Sequence, residues 1–181
     1  MSEAELAIMI RAARDDKVDL VAARSLLQET FDFHAQVASN QPSLQFRPAA
    51  QTSYLNDCLS SIQQAAQGIT SNEQAFLAWQ TESHLFGLKA VEKPVGLVMV
   101  RIQRDYYYTT EFYGYVEQLI VSKQARNLGI GPKLLDAACA WLLSRQIHTA
   151  TLKVYGPNLN ALRFYQREGF EPLRHELVKH F

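Results

Sequence analysis

Between Val121 and Gly131 the chain reads Val-Ser-Lys-Gln-Ala-Arg-Asn-Leu-Gly-Ile-Gly. The spacing Arg126-x-x-Gly129-x-Gly131 sets one cation and two positions without side chains at the junction of an apolar strand and an apolar helix. A turn of this kind uncovers several backbone N–H groups at a helix N-terminus, and such a group of donors binds an anion, most often a phosphate. Two other phosphate loops do not fit. No stretch supplies the Gly-x-x-x-x-Gly-Lys-Ser/Thr of a Walker A loop. A dinucleotide fingerprint needs a third glycine where this chain has Leu134, and it belongs in a first strand-helix-strand unit, whereas this one lies late in the chain.

The elements that must position this turn follow from hydrophobic period. Tyr115–Val121 reads as the strand before it and Ile130–Gln146 as the helix after it, with Leu134, Leu135, Ala138, Trp141 and Leu142 inward. Thr149–Tyr155 alternates like a strand, Asn158–Glu168 reads as a short helix ended by Gly169, and Phe170–Phe181 as a last strand. Upstream, Ala7–Ala12 reads as a strand and Asp15–His34 as a helix with Leu20, Ala23, Leu27 and Phe31 on one face. Gln41–Ala50, with two prolines, reads as a loop. Gln51–Gln67 reads as a second helix with Leu55, Cys58, Leu59 and Ile62 on one side and Gly68 as its stop. Ala75–Gln80 and Val95–Gln103 read as strands, Ser83–Glu92 is ambiguous, and Asp105–Tyr113 suits a loop or a twisted hairpin. The unit Tyr115–Tyr155 is expected to be parallel with a right-handed crossover, and the hairpin-like strands before it make the sheet mixed. The fold class is therefore α/β (α+β), one domain over residues 1–181 with helices on both faces of a mixed sheet.

Composition narrows the function. Lys plus Arg equals Asp plus Glu at 18 each, so no global charge draws the chain to nucleic acid or an anionic membrane. No apolar run reaches the roughly 18 residues of a membrane span, and the acidic start Met1-Ser2-Glu3-Ala4-Glu5 is wrong for a signal peptide. A cytoplasmic protein is the simplest expectation. Cys58 and Cys139 are too few for a disulfide scaffold or a zinc cluster and read as buried thiols, and His34, His84, His148, His175 and His180 show no metal spacing. No metal is expected.

A second motif, Asn158-x-x-Ala161-x-x-Phe164-Tyr165-x-x-x-Gly169-Phe170, stands one strand beyond the turn. The two together, in this order, resemble the GNAT superfamily of N-acetyltransferases, whose acyl-CoA turn reads Gln/Arg-x-x-Gly-x-Gly/Ala and whose downstream signature reads Asn-x-x-Ala-x-x-x-Tyr-x-x-x-Gly-Phe. The strong resemblance covers roughly Tyr115–Phe170. Upstream it is one of element order, apart from His34-Ala35 and Phe46-Arg47-Pro48, which resemble a stretch of some small-molecule members. One departure is Asn127, where members often carry Gly; Asn accepts a positive φ better than other residues with a side chain. Pro132 falls in the first helical turn, where its missing N–H costs little.

The resemblance implies a mostly antiparallel sheet with a parallel strand-helix-strand unit for acetyl-CoA, the co-substrate. It implies transfer of an acetyl group to a primary amine, of a small molecule sooner than of a peptide, by direct attack in a ternary complex; a non-catalytic acyl-CoA sensor is the competitor. Arg126, Asn127, Leu128, Gly129, Ile130 and Gly131 would wrap the pyrophosphate. The stretch Leu119-Ile120-Val121, through the backbone of Leu119 and Val121, would pair with the pantetheine arm, and the Leu119 N–H would face the thioester carbonyl. Asn158, Ala161, Phe164 and Tyr165 would border the same arm, with Asn158 equally suited to cap its helix. Tyr165 would protonate the leaving thiolate, since a thiol near pKa 8.5 and a phenol near 10 are modestly mismatched. Glu117 would relay the proton of the amine, with a water chain as an equal alternative. Dimers are common in the family, which leaves a homodimer open.

Other features carry plainer readings. Tyr106-Tyr107-Tyr108 with Phe112, Tyr113 and Tyr115 could wall an amine pocket or simply pack a hairpin. Glu29, Asp32 and His34 could line the acceptor site or lie exposed on their helix. Cys139 lies mid-helix without a neighbouring His in sequence, which speaks against a covalent acetyl-enzyme.

Overall fold

Alternating and helical periods translate, among the described residues, into five strands in the order β1-β2-β3-β4-β5. The structure, a computed structural model, describes residues 7–37, 48–82, 91–105, 111–177 and 179. The strands β1 (Ala7–Ala12), β2 (Glu73–Glu82), β3 (Val91–Arg104) and β4 (Phe112–Val121) form an antiparallel meander, and β5 (Ala150–Leu152) joins β4 in parallel. Between β4 and β5 the chain makes a 3-10 turn, Lys123–Ala125, and the helix α3 (Ile130–Leu143). The helices α1 (Lys17–Val37) and α2 (Pro48–Ala66) lie between β1 and β2 in sequence, and α4 (Leu159–Arg167) follows β5.

Both faces of the sheet are covered, which explains the unbroken buried run Val95–Val100 in β3. On one face Leu26 and Leu27 of α1 and Ile62 of α2 pack with Leu77, Leu97 and Met99. On the other, Ile130, Leu134, Ala138 and Leu142 of α3 pack with Ala78, Val98, Val100 and Val116. Each fully buried leucine stabilises the fold by roughly 1.5–3 kcal/mol. Neighbours in sequence such as Leu77 and Ala78 serve opposite cores, as the period of two requires.

Local chemistry sets the helix ends. Asp16 Oδ1 accepts the N–H of Asp19 at 2.8 Å and caps α1. The α1 face expected to be inward is inward, with Ala23, Leu27 and Phe31 buried and Leu20 half-buried. The second helix starts at Pro48, inside the stretch expected to be loop, because proline suits the first helical position. Gly68, at φ 71, ends the turn that follows it. The helix α3 stops at Leu143, three residues short of the expected Gln146, and Gln146 itself takes φ 62.

Two further expectations need correction. The strand expected over Thr149–Tyr155 forms only over Ala150–Leu152. The last strand, expected over Phe170–Phe181, does not form among the described residues, where Leu173 is 73% and Leu177 93% exposed. Its apolar residues are sparse among Glu171, Arg174, His175 and Glu176, so one face cannot repay pairing with a three-residue strand. The ambiguous Ser83–Glu92 stretch resolves at its end, where Val91 and Glu92 open β3; residues 83–90 lie outside the described residues. So do 38–47, most of the expected loop Gln41–Ala50 and of the Phe46-Arg47-Pro48 stretch, and 106–110, which hold Tyr106-Tyr107-Tyr108.

One buried ion pair joins β1 to α1. Asp19 is fully buried and accepts from Arg11 Nη2 at 2.7 Å and from the Arg14 N–H at 2.8 Å. Burial alone would raise its carboxyl, but these two donors outweigh it and hold it below the ordinary carboxylate range.

Candidate active site

The centre of the site is a place where two strands part. β4 and β5 pair only through Gly114–Ala150, Tyr115–Thr151 and Val116–Leu152. Beyond Val116 the β4 strand runs on to Val121 with no strand on that side among the described residues. The parting coincides with a bulge, since Met99 is opposite Gln118 and Val100 opposite Val116, leaving Glu117 as the extra residue. Past the bulge, the Ser122 N–H bonds to the Val95 carbonyl at 2.9 Å. Antiparallel alternation then turns the backbone of Ile120 and Gln118 toward β3 and that of Leu119 and Val121 toward the open side. The Val121 carbonyl confirms this phase by accepting from Arg126 Nε at 3.4 Å. Ile120 is placed differently from its two neighbours: its side chain is in the α1/α2 core and its backbone faces β3.

The open edge leads directly to the turn that the sequence singled out. Asn127 takes φ 65 and Gly129 φ 70, so the asparagine does occupy the left-handed region. Gly129 is the N-cap residue of α3, with no side-chain cap. The N–H groups of Gly129, Ile130 and Gly131 have no hydrogen-bond partner among the described residues. Leu128 is exposed and the Ile130 side chain is buried in the α3 core, so each offers the turn its backbone alone. The Arg126 guanidinium lies over the Phe33 ring at 5.4 Å, and Glu29 accepts the Lys123 N–H at 3.3 Å. The end of α1 thereby braces the turn. Ser122, just past the open edge, has a buried hydroxyl without a partner among the described residues.

The second motif comes to the same place. A Cβ on Gly131 would stand 3.3 Å from the Phe164 ring, so α4 rests on the bare backbone of the first turn of α3. Asn158 caps α4 by accepting the Ala161 N–H at 3.2 Å. Tyr165 packs between Phe164 and Phe170, with ring centroids 5.0 and 5.7 Å away, and its hydroxyl has no hydrogen-bond partner among the described residues. Burial pushes this phenol up to about 12, so it stays protonated across the neutral range.

Glu117 stands apart from the turn, on the face of the sheet covered by α1 and α2. Because of the bulge, Glu117 and Gln118 both present their side chains to α2. There the Tyr54 hydroxyl accepts from Gln118 Nε2 at 2.8 Å and donates to Glu117 Oε1 at 3.4 Å. Arg101 Nη1 stands 3.8 Å from Glu117 Oε2, and its guanidinium lies over the Tyr115 ring. Sequence reasoning missed Tyr54, Gln118 and Arg101. The signal for the bulge was present, since Glu117-Gln118 breaks the polar/apolar alternation of the strand. Of the α1 residues weighed for the acceptor side, Glu29 holds Lys123, Asp32 accepts from Gln28 Nε2 at 3.4 Å, and His34 meets the Tyr155 ring edge-on at 5.1 Å. Burial lowers the His34 imidazole below its ordinary value.

Neither thiol suits a nucleophile. Cys58 is buried and pushed up to about 11 by that burial, and Cys139, half-buried, is raised for the same reason. Among the described residues no group of three His, Cys, Asp or Glu could hold a metal ion, and no helix is long and apolar enough to cross a membrane.

An open strand edge that ends at an uncapped helix start can hold an extended, amide-bearing chain with an anionic end. The fold is shared with known proteins. The chain shares its fold with the tetramutant of the BH1408 protein from Bacillus halodurans, at 18% identity and a TM-score of 0.68 over 96% of this chain and 99% of that one. It shares it with aminoglycoside N-acetyltransferase AAC(6')-Iy in complex with CoA, at 15% identity and a TM-score of 0.67 over 100% and 99%. It also shares it with a GCN5-related N-acetyltransferase from Ralstonia eutropha JMP134, at 19% identity and a TM-score of 0.64 over 97% and 99%. No curated protein matches the chain. The sequence pattern of the acetyltransferase (GNAT) family matches residues 52–170, which include the open edge, the turn and both motifs, and the chain belongs to that family of acetyl-CoA-dependent acetyltransferases.

Proposed function

We propose that the chain transfers the acetyl group of acetyl-CoA to a primary amine of a small molecule, by direct attack within a ternary complex. The observation that carries the reading is the parting of β4 from β5, which leaves the Leu119 and Val121 backbone open beside the uncapped start of α3. These residues fit the donor. Leu119 and Val121 can pair with its amides as an added strand would. The N–H groups from Gly129 to Gly131, with Arg126, can take its diphosphate. Acetyl-CoA supplies an acyl carbon activated as a thioester. The small-molecule acceptor is favoured by analogy with structurally similar aminoglycoside acetyltransferases.

Three groups of the chain divide the remaining work. Glu117, half-buried on the α2 side, accepts the proton that the acceptor amine must lose, directly or through water. The Leu119 N–H, free of β3, donates to the oxygen on which charge develops. Tyr165 gives its phenolic proton to the departing sulfur. Its raised position makes that transfer harder than the ordinary phenol would. The burial that raises the phenol also raises the proton affinity of a thiolate beside it, which narrows the gap.

The test is thiol release from acetyl-CoA with a panel of small amines. The expected result is amine-dependent release, with Tyr165→Phe lowering kcat by about 100-fold and leaving KM for acetyl-CoA within a few-fold. Binding of acetyl-CoA without release on any small amine would instead indicate a sensor. Equal rates for Tyr165→Phe and wild type would remove the phenol from the mechanism.

A further inference from the structure

We propose that Tyr54 of α2 is a positioning residue for Glu117, fixing its carboxylate through a directed chain from the Gln118 carboxamide to the Tyr54 hydroxyl to Glu117 Oε1. The inference rests on the reading of Glu117 as the group that takes the acceptor proton. Its origin is the bulge: a regular strand would send Glu117 and Gln118 to opposite faces, and one extra residue brings both to α2. The two ends of the chain have one polarity each, and the phenol between them both accepts and donates, with the Cys58 sulfur as a second acceptor for its proton. Gln118 Nε2 can only donate, at 2.8 Å; the phenol accepts there and donates onward at 3.4 Å; the carboxylate can only accept.

Arg101 reaches the other carboxylate oxygen, at 3.8 Å from a side chain about a third exposed. A loose and partly solvated ion pair of that kind holds geometry weakly. The two carboxylate oxygens thus have separate partners, the phenol at one and the guanidinium at the other. The titratable and charged groups facing Glu117 are Arg101 from β3, Tyr115 within β4, and Tyr54 and Cys58 from α2. Burial first, and then Cys58 and Glu117, raise the Tyr54 phenol, so it remains a donor at any pH at which the enzyme would be assayed.

The experiment compares wild type, Tyr54→Phe, Gln118→Leu, Glu117→Gln and the Tyr54→Phe/Glu117→Gln double variant. The readouts are kcat and the KM values for acetyl-CoA and for the acceptor. Tyr54→Phe is expected to lower kcat about tenfold with KM for acetyl-CoA unchanged. Gln118→Leu lowers kcat the same way by less, and decides the matter if Tyr54→Phe does not fold. Adding Tyr54→Phe to Glu117→Gln costs nothing further. The proposal is overturned if Glu117→Gln lowers kcat while Tyr54→Phe and Gln118→Leu keep the wild-type value, or if the two substitutions multiply. A Glu117→Gln variant with the wild-type rate overturns the reading of Glu117 itself, a different result from either.

Discussion

Replacing Asp19 by Asn removes a fully buried charge that three groups surround. Arg11 approaches it with both terminal nitrogens, and the Arg14 N–H bonds to it as well. Breaking a buried ion pair from one side costs on the order of 3–5 kcal/mol, because the remaining charge is stranded. Here the stranded group is Arg11, whose side chain is 22% exposed and can recover some hydration. Asn also keeps one acceptor oxygen for the Arg14 N–H. Both considerations point to the lower end, about 3 kcal/mol, or roughly 6–12 °C in Tm for a chain of this length. The pH dependence follows from the sign of the shift. The folded carboxyl lies below its unfolded value, so its stabilisation is complete above about pH 4 and is lost as pH falls through the folded value. Urea unfolding of both proteins at pH 7 and pH 3 measures it. The gap is expected to be about 3 kcal/mol at pH 7 and clearly smaller at pH 3. A gap below about 1 kcal/mol at pH 7, or one that does not narrow in acid, refutes the reasoning.

Two further substitutions probe the scaffold and the turn. A Cβ on Gly114 would run into the Leu142 side chain, so Gly114→Ala should destabilise by about 1–3 kcal/mol in chemical denaturation, and adding Leu142→Ala should cost less than its single-site value. Arg126→Glu puts a negative charge beside the start of α3; it should raise KM for acetyl-CoA at least tenfold in steady-state assays with little change in melting temperature, since its own contacts are exposed. A variant that keeps the wild-type KM would remove Arg126 from donor binding.

Much of the fold was legible because its signals are local. The inward faces of α1, α2 and α3 repeat every three or four residues, and the structure buries them as the period requires. The errors fall where local preference is weak and partners decide. Pro48 reads as a loop residue, but helix start and loop both suit proline, and only packing selects between them. The C-terminal residues read as a strand, but a strand exists only if an edge is there to receive it, and β5 offers three residues. The short β5 also could not be read from Thr149–Tyr155, since where two parallel strands part depends on the bulge at Glu117 and on what packs between them.

The proposed donor side was written in the sequence by itself. The six-residue turn proposed to hold the donor offers backbone N–H groups, so the identities that matter are those that keep side chains away or accept a positive φ, and Asn127, Gly129 and Gly131 declare that directly. The proposed acceptor side was decided by tertiary structure alone. Tyr54 and Gln118 are 64 positions apart and meet only because α2 crosses the face on which the bulge places Glu117. A phenol on an apolar helix face reads as core until the strand opposite it presents a carboxylate, and no spacing along the chain records that meeting.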